Sequence, residues 1–458
     1  MDDMRFYRNY LSMERETTSI IVQKSEIHDS ILKIDGYKHS MVQVISLAIA
    51  LRLCIKINNP PLVSDTYVFA DIVKSLGGRV VIDDELELVI DARYISNCII
   101  PDNLGKLIHG SMYLCPALLM SLGSFDFFGS GGCQIGSNEE NNQRPIGHIL
   151  SVMSLMGAYI SQTDERVHGE ITKVNEISEI DIMDYSTETD VLSGPLVGGA
   201  TKVFLIMSLR NSYFVIRNAY LKTDVMDMIR FLEFVGKKIR IHDGDIYIEG
   251  HARHDEIIDT SFMLTQCISE IITYSALSIA ARKKITFRDL NREIISIGLQ
   301  PEFDVMKQMG IIVNWFGNDL SFYPPEKLNA VNICVMPRTI QSDHHPFFAL
   351  LLLLSNNESE ITENVWKDRF RYAENLKEMG ADMQIEGNRI RIKPSILKAT
   401  VNPLSAFDVR SAAVTLLAII LSNSSVELRE AEHISRGYSR LSEHLSDMGV
   451  QIRYVFER

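Results

Sequence analysis

The chain has 458 residues, 46% of them hydrophobic and 23% charged, which is usual for a soluble globular protein of two or three domains. Its formal net charge is −13 without a basic stripe, which argues against nucleic acid as the main partner. Its apolar runs are too short to span a membrane, its charged N-terminus has no signal segment, and its six cysteines form no CxxC pair. We therefore expect a cytoplasmic protein with reduced thiols and no membrane partner.

Six copies of one pattern run along the chain: an apolar helical face, a glycine and a short strand. A glycine closes a helix by taking the left-handed conformation, and after Gly236 two predicted strands, Lys238–Ile241 and Ile246–Glu249, flank a His-Asp-Gly-Asp turn. The unit is therefore helix, glycine, strand, turn and strand, which is too long for a propeller blade or a solenoid repeat. The six glycines are Gly77, Gly157, Gly236, Gly310, Gly380 and Gly449.

Lys38 is the first residue that departs from this scaffold. It lies between a predicted strand, Ile31–Ile34, and a predicted apolar helix, Met41–Leu51. The N-terminus of a helix attracts anions through its free amides and its dipole. The position therefore favours an anion-binding lysine.

The loop from Gly129 to Pro145 is the strongest departure. Its glycines let the backbone approach a ligand closely, and its polar stretch is typical of a surface loop. Cys133 stands in this loop, although free cysteines are usually buried. Cys133 is therefore either an incidental surface thiol or a functional one, whereas the other cysteines have apolar neighbours.

A third departure is the segment Thr339–Phe348, which precedes a predicted apolar helix at Ala349–Leu354. Asp343 lies where that helix should begin, so it is either an N-terminal cap or a general base at a cleft. His344 and His345 could suggest a metal, but neighbouring side chains point apart and no HExxH or CxxC partner exists. We predict no metal site.

Arginines occupy similar places in the last two copies of the pattern, at Arg369, Arg410 and Arg436. Arg410 precedes the nearly all-apolar stretch Ser411–Leu421 and should be at least half buried. A buried arginine needs an anionic partner, which is either Asp408 or the carboxylate or phosphate of a substrate. The pattern indicates a two-part enzyme whose cleft binds a small, multiply charged anion.

With these residues in view, the chain resembles the enolpyruvyl transferases, above all the UDP-N-acetylglucosamine 1-carboxyvinyltransferases. The resemblance runs over nearly the whole chain from about Ile20. The family motifs SGAKN, GGCxIG…RP and PTDMQ are met here by DGYKH, GGCQIG…RP and QSDHH. FENRF, TDLRASA and HIDRGYERIEDKLRALGA are met by WKDRF, FDVRSAA and HISRGYSRLSEHLSDMGV.

The resemblance implies a mixed α/β fold, an inside-out α/β barrel of two similar domains with a cleft between them. Each domain would hold three βαβαββ units, in agreement with the six glycine-closed helices. Residues 1–37 with 267–458 would form a discontinuous domain carrying the general base and the arginine clamp. Residues 38–266 would form the domain that carries the cysteine loop and the nucleotide-binding side.

The resemblance also implies roles for single residues. Asp343 would be the general base, Cys133 the general acid, and Lys38 a further catalytic residue. Phosphoenolpyruvate would be bound by Lys38, Arg144, Arg369, Arg410 and Arg436. The acceptor would be bound by His39, His109, Arg144, Pro145, Val197, Gly198, Gly199 and Asp343. No metal or organic cofactor is implied, and a monomer is expected.

The acceptor side departs from the family pattern. His39 replaces the asparagine that touches the amino sugar in the family, His109 falls where an arginine is expected, and the loop is lengthened at Ser137–Gln143. A related branch, the nikkomycin and polyoxin enolpyruvyl transferases, uses the 3′-hydroxyl of UMP. We therefore favour a uridine nucleotide, UMP above all, with UDP-N-acetylglucosamine of peptidoglycan synthesis as the alternative.

Other classes of function fit less well. The shikimate-pathway relative lacks the cysteine loop. An RNA 3′-phosphate cyclase shares related repeats, but the acidic balance and the RGY and DVR motifs disfavour it. A non-catalytic binding protein would be expected to lose Cys133, Asp343 or the arginines, and all are present.

Overall fold

A computed structural model describes residues 2–8, 17–23, 25–82, 87–131, 146–171, 177–185, 196–252 and 261–457. The chain divides into two compact units. We call Gly36–Pro61 with Asp65–Thr265 the central unit, and Met1–Asp35 with Leu62–Ser64 and Gln266–Arg458 the terminal unit. The assignment of residues 1–37 with 267–458 and of 38–266 to two domains stays a prediction.

The central unit is built from helices that pack on one another beneath small sheets. Helix α2 packs against α5 and α8, and α6 packs against α7. The helices are α2 Lys38–Leu51, α3 Ser64–Ser75 (whose first residue belongs to the terminal unit), α4 Asp102–Gly105, α5 Leu114–Leu122, α6 Gly147–Leu155, α7 Leu196–Met207 and α8 Thr223–Phe234. The strands are β3 Cys54–Ile57, β4 Arg79–Ile82, β5 Leu88–Asp91, β6 Ser124–Phe127, β7 Ala158–Gln162, β8 Val167–Ile171, β9 Glu179–Asp181, β10 Tyr213–Arg217, β11 Lys238–His242, β12 Asp245–Glu249 and β13 Ser261–Phe262.

The described strands of the central unit form three sheets, in the orders β13-β3-β5-β4, β6-β8-β7 and β11-β12-β10-β9. The predicted hairpin after Gly236 is confirmed, because β11 and β12 pair antiparallel and Lys238 lies opposite Glu249. Helix α2 is buried on every side from Ser40 to Leu51, as expected for a helix that is apolar all round.

The terminal unit has the same kind of architecture. Helix α9 packs against α12 and α14, and α13 packs against α14. The helices are α1 Asp2–Arg8, α9 Ile268–Ala280, α10 Arg292–Gly298, α11 Gln300–Gln308, α12 His345–Leu352, α13 Tyr372–Glu378, α14 Val409–Leu421 and α15 Leu441–Asp447. The strands are β1 Thr17–Val22, β2 Ser30–Leu32, β14 Ile285–Phe287, β15 Ile312–Phe316, β16 Asp319–Tyr323, β17 Ile333–Val335, β18 Ser359–Glu363, β19 Asp382–Glu386, β20 Arg389–Lys393, β21 Leu404–Ser405, β22 Glu427–Arg429 and β23 Ile452–Glu457.

Among the described residues of the terminal unit, three sheets have the strand orders β21-β22-β1-β23, β15-β16-β14-β2 and β17-β18-β20-β19. Strand β20 alternates exposed and buried residues, so one face of its sheet meets solvent and the other covers the helices. The fold is mixed α/β, as predicted. The described strands form separate sheets of three or four strands and close no single barrel.

The glycines that were expected to close helices all do so. Gly77, Gly157, Gly236, Gly310, Gly380 and Gly449 have φ values from 85° to 101°, and each follows the end of a helix. In this left-handed region a residue without a Cβ is favoured. The prediction that a glycine closes a helix in each of the six copies is therefore confirmed.

Candidate functional site

The terminal unit brings three of the predicted site residues together around one carboxylate. Arg369 Nη2 donates a short hydrogen bond to Asp343 Oδ1, and Arg410 Nη2 donates to Asp343 Oδ2 at 3.1 Å. The side chains of Arg369 and Arg410 are 2% and 5% exposed, whereas that of Asp343 is 35% exposed. A partly open carboxylate therefore rests on two buried guanidinium groups.

Arg410 is held rigidly at the start of a buried helix. Asp408 caps α14 by accepting hydrogen bonds from the amides of Arg410 and Ser411. The guanidinium donates to Tyr438 Oη at 3.1 Å and to Ser269 Oγ at 2.9 Å. Burial opposes its charge, but the Tyr438 phenol and the Asp343 carboxylate together raise the pKa of Arg410 well above its usual value.

The partner of Arg410 corrects the sequence interpretation. Asp408 was one candidate for the anion that balances Arg410, but its carboxylate caps the helix through main-chain amides and lies 3.6 Å from Arg369 Nη1. The carboxylate paired with the Arg410 side chain is Asp343. Asp343 in turn is not the helix cap, because α12 begins at His345 and its N-cap residue is His344.

Several donors of the two arginines have no hydrogen-bond partner among the described residues. They are Arg369 Nε, Arg369 Nη1 and Arg410 Nε, and all three atoms are buried. Unpartnered buried donors are uncommon, since each costs about 1–3 kcal/mol and more on a charged group. The cluster is therefore suited to a further acceptor, and an anion would suit it best.

Arg436 lies beside this cluster in the chain's fold. It ends a 3₁₀ turn, Ala431–Arg436, and is half-buried. The next residue, Gly437, is packed so closely that an added Cβ would lie 2.5 Å from Val409 Cγ1 and 3.7 Å from Arg410 Nη1. The turn that carries Arg436 thus runs along the first turn of α14.

His344 and His345 turn to different partners, as expected for neighbours. His344 Nδ1 lies 2.7 Å from Glu302 Oε1, and His345 Nε2 lies 3.3 Å from Glu363 Oε2. Burial lowers the pKa of His345, although Glu363 acts in the opposite direction. Within the described residues no group of three or more histidine, cysteine or acidic side chains could hold a metal ion.

In the central unit, Lys38 and His39 form the first turn of α2, which begins three residues earlier than predicted. Lys38 Nζ lies 3.0 Å from Asp65 Oδ2, and both side chains are largely buried. The His39 ring makes an edge contact with Tyr37, with 5.0 Å between the ring centroids. Lys38 is therefore already paired with a carboxylate.

A buried ion pair that the sequence analysis missed adjoins His39. Lys202 Nζ pairs with Asp224, and the side chains are 12% and 5% exposed. Burial favours the neutral carboxyl, but Lys202 and His39 outweigh it and lower the pKa of Asp224. Lys202 also lies over the Tyr113 ring, 5.3 Å from its centroid. A lysine within the apolar stretch VGGATKVFLIM was the available signal.

Among the predicted acceptor residues near the start of α7, the structure gives a clear reason why residue 199 is a glycine. A Cβ added to it would overlap Nε2 of His148, whereas one at Gly198 would lie 3.4 Å from Tyr220 Cδ1. Burial, and next the charge of Lys202, lower the pKa of His148 to about 4. Val197 belongs to α7, and its side chain is outside the description.

The remaining predicted residues fall into two groups. His109 opens the 3₁₀ turn His109–Tyr113, where Gly110 packs against Val42 of α2. Cys133, Arg144, Pro145 and the lengthened segment Ser137–Gln143 lie outside the described residues. Their roles stay predictions.

The fold and the site define a mixed α/β protein with a buried arginine–carboxylate cluster in one unit and a buried lysine–carboxylate pair in the other. Residues 22–445 match the family model of EPSP synthase (3-phosphoshikimate 1-carboxyvinyltransferase). The chain belongs to this family and is an enzyme of the enolpyruvyl (carboxyvinyl) transferase class.

Similar proteins with curated descriptions cover almost the whole chain. The UDP-N-acetylglucosamine 1-carboxyvinyltransferase of Thermotoga petrophila is 26% identical over 439 residues, which are 95% of this chain and 98% of that protein. The protein of the same description from Coxiella burnetii is 25% identical over 438 residues, 95% of each chain.

Two solved structures share the fold. The enolpyruvyl transferase NikO from Streptomyces tendae has a TM-score of 0.86 and 26% identity, covering 97% of this chain and 100% of that one. EPSP synthase from Acinetobacter baumannii has a TM-score of 0.64, covers 96% and 100%, and is 14% identical, so it supports the fold alone. In the part of the chain that the structure describes, no helix has the length and apolar character needed to cross a membrane.

Proposed function

We propose that the enzyme transfers the enolpyruvyl group of phosphoenolpyruvate to a hydroxyl of a uridine nucleotide and releases phosphate, with the 3′-hydroxyl of UMP as the favoured acceptor. The observation that carries the proposal is the Asp343 carboxylate held by two buried arginines whose further donors lack partners among the described residues. A substrate with both a carboxylate and a phosphate would supply the missing acceptors.

In this proposal Arg369, Arg410 and Arg436 belong to the anion site, together with Lys38 and Arg144. Guanidinium groups bind carboxylate and phosphate through two parallel hydrogen bonds, which fixes the orientation of the substrate as well as its position. The proposed fold is the inside-out α/β barrel of two similar domains that the family resemblance implies.

The chemistry proposed has two steps. The oxygen of the acceptor hydroxyl bonds to C2 of the enol, and Asp343 accepts the proton of that hydroxyl. Cys133 donates a proton to the methylene carbon, and the product of this step is a tetrahedral ketal. The ketal then loses a proton from its new methyl group as the carbon–oxygen bond to phosphate breaks. The products are a carboxyvinyl ether and inorganic phosphate, and no metal or organic cofactor takes part.

The central unit supports an anionic acceptor. His39 stands where the sequence pattern of the UDP-N-acetylglucosamine branch has asparagine, and a protonated imidazole can pair with a phosphate where an amide cannot. Lys202 and Asp224 form a buried ion pair next to it. The structural likeness to the enolpyruvyl transferase NikO supports the enolpyruvyl transfer itself.

UDP-N-acetylglucosamine is the second candidate acceptor. It is favoured by the curated relatives, which are as similar in sequence to this chain as NikO is. The distinction therefore rests on His39, His109 and the lengthened loop, and not on overall identity.

Phosphate release from phosphoenolpyruvate tests the proposal. The purified enzyme is incubated with phosphoenolpyruvate and, in separate reactions, with UMP, with UDP-N-acetylglucosamine or with no acceptor. We expect rapid release with UMP and a background rate without acceptor. Release with UDP-N-acetylglucosamine alone would overturn the acceptor and keep the transferase. If neither nucleotide raises phosphate release above the background rate, a uridine-nucleotide acceptor is contradicted.

A further inference from the structure

A chain of buried hydrogen bonds runs from Arg410 away from Asp343. Arg410 Nη2 donates to Ser269 Oγ at 2.9 Å, and Ser269 Oγ lies 3.2 Å from His344 Nε2. His344 Nδ1 lies 2.7 Å from Glu302 Oε1. Ser269, His344 and Glu302 are all completely buried.

The chemistry of the groups fixes the first bond of this chain. A guanidinium only donates, so Ser269 Oγ accepts from Arg410. Ser269 Oγ and His344 Nε2 share the second bond, and the Glu302 carboxylate accepts from His344 Nδ1 in the third. The bonds run without a break from the cation to the buried carboxylate, an arrangement in which they strengthen one another.

The same carboxylate also fixes the main chain beside Asp343. Glu302 Oε1 accepts from the amide of Gln341 at 2.9 Å, two residues before Asp343, while it binds the imidazole one residue after it. One buried group therefore sets the position of the segment that carries Asp343 and, through Ser269, the orientation of the Arg410 guanidinium.

We propose that His344, acting with Ser269 and Glu302, is a positioning residue for the Arg410–Asp343 pair. Because Nη2 donates to both Ser269 and Asp343, the bond to Ser269 fixes the guanidinium plane in which Asp343 is bound. The proposal rests on the roles given above to Asp343 and Arg410.

A double-mutant cycle tests the chain of bonds. The variants Ser269→Ala, His344→Met and the double variant are compared for kcat, for the KM of phosphoenolpyruvate and for the KM of the acceptor. We expect each single change to raise the KM of phosphoenolpyruvate about tenfold, since a hydrogen bond to a charged group is lost. The double variant should be no worse than the worse single variant, because both changes break one chain.

The matched control is Ser275→Ala, on the same helix α9. Ser275 is fully buried, and its Oγ has no hydrogen-bond partner among the described residues, so its loss should leave the KM within about twofold. His344→Gln should recover part of the His344→Met loss, since its amide oxygen can accept from Ser269. Losses that multiply in the double variant, or a fall in Tm without a change in KM, would overturn the positioning role.

Arg410→Lys in the same assay separates the two proposals. Lysine keeps the charge but loses the planar guanidinium that can make two parallel hydrogen bonds, so the KM of phosphoenolpyruvate should rise by about tenfold or more. If Arg410→Lys has no effect, the proposed anion site fails. If Arg410→Lys raises the KM while Ser269→Ala and His344→Met do not, the anion site stands and the positioning role falls.

Discussion

The arrangement of a single carboxylate dominates the proposed site. Asp343 is bound by Arg369 and Arg410, two buried cations, and Asp408 lies 3.6 Å from Arg369. Buried arginines that keep donors without a hydrogen-bond partner among the described residues are costly, and such arrangements occur mainly at functional sites. The unpartnered donors are therefore the feature that favours a substrate anion.

Asp343→Asn tests the proposed base. Asparagine has the same size but cannot take up a proton, so kcat should fall by about two orders of magnitude or more. The KM of phosphoenolpyruvate should not rise, because the two arginines keep their charge. Steady-state kinetics would show this, with the exposed Asp382→Asn on β19 as control. A nearly normal kcat would return Asp343 to a structural role.

Cys133 should be the reactive thiol of the chain. Burial raises the pKa of Cys267 to about 12 and that of Cys115 well above its usual value, so both should be inert. Alkylating agents and fosfomycin should modify Cys133, and phosphoenolpyruvate should slow the reaction. Peptide mass spectrometry would follow it, with the exposed Cys334 as a site that the substrate should not protect. Equal labelling of all six cysteines would contradict the assignment of Cys133 as the reactive thiol.

At the scale of single elements, helix ends were predictable where their chemistry is local. The six closing glycines were found because a left-handed residue needs nothing from the rest of the fold. The start of α2 was placed too late, at Met41, because its N-cap residue Tyr37 makes no side-chain capping bond and gives no signal. The cap at Asp408 stood as one of two candidate partners for the Arg410 side chain, because a cap and an ion pair look alike in a sequence.

Helix α7 offers a pair of substitutions that differ only in their surroundings. Gly199→Ala would push a methyl group into the His148 ring and should destabilise the protein by about 1–3 kcal/mol. Gly198→Ala meets only Tyr220 at 3.4 Å, so the gain in helix propensity, at most about 1 kcal/mol, should prevail. Urea unfolding of the two variants measures both effects. Equal stabilities would contradict the packing of His148 against α7.

Over the whole molecule, the sequence predicted candidate site residues one by one, but it did not predict how they meet. Residue types and motif order pointed to Asp343, Arg369 and Arg410. The two arginines bind the carboxylate of Asp343 only because folding brings three segments of the chain together. Lys202, Asp224 and Glu302 were missed for the same reason. A single charge in an apolar stretch reveals its importance only when its buried partner is known.

The pH dependence of stability should reveal His148. Its pKa is about 4 in the folded protein, below that of an unfolded histidine. At pH values between these two pKa values, the unfolded state therefore binds more protons than the folded state. The resulting stability is present above about pH 6.5 and is lost as the pH falls towards 4. From about pH 7 to about pH 5 the wild type should lose about 2 kcal/mol more than His148→Gln in urea unfolding. Identical losses would show that His148 titrates normally.

The central claim is the transfer of an enolpyruvyl group to UMP, and a competition reaction measures it most directly. Enzyme and phosphoenolpyruvate are mixed with equal concentrations of UMP and UDP-N-acetylglucosamine, and the initial product masses are compared. Their ratio gives the ratio of kcat/KM for the two acceptors without separate kinetics. We predict that carboxyvinyl-UMP forms in large excess. A mixture in which only UDP-N-acetylglucosamine gains the carboxyvinyl group would contradict the claim.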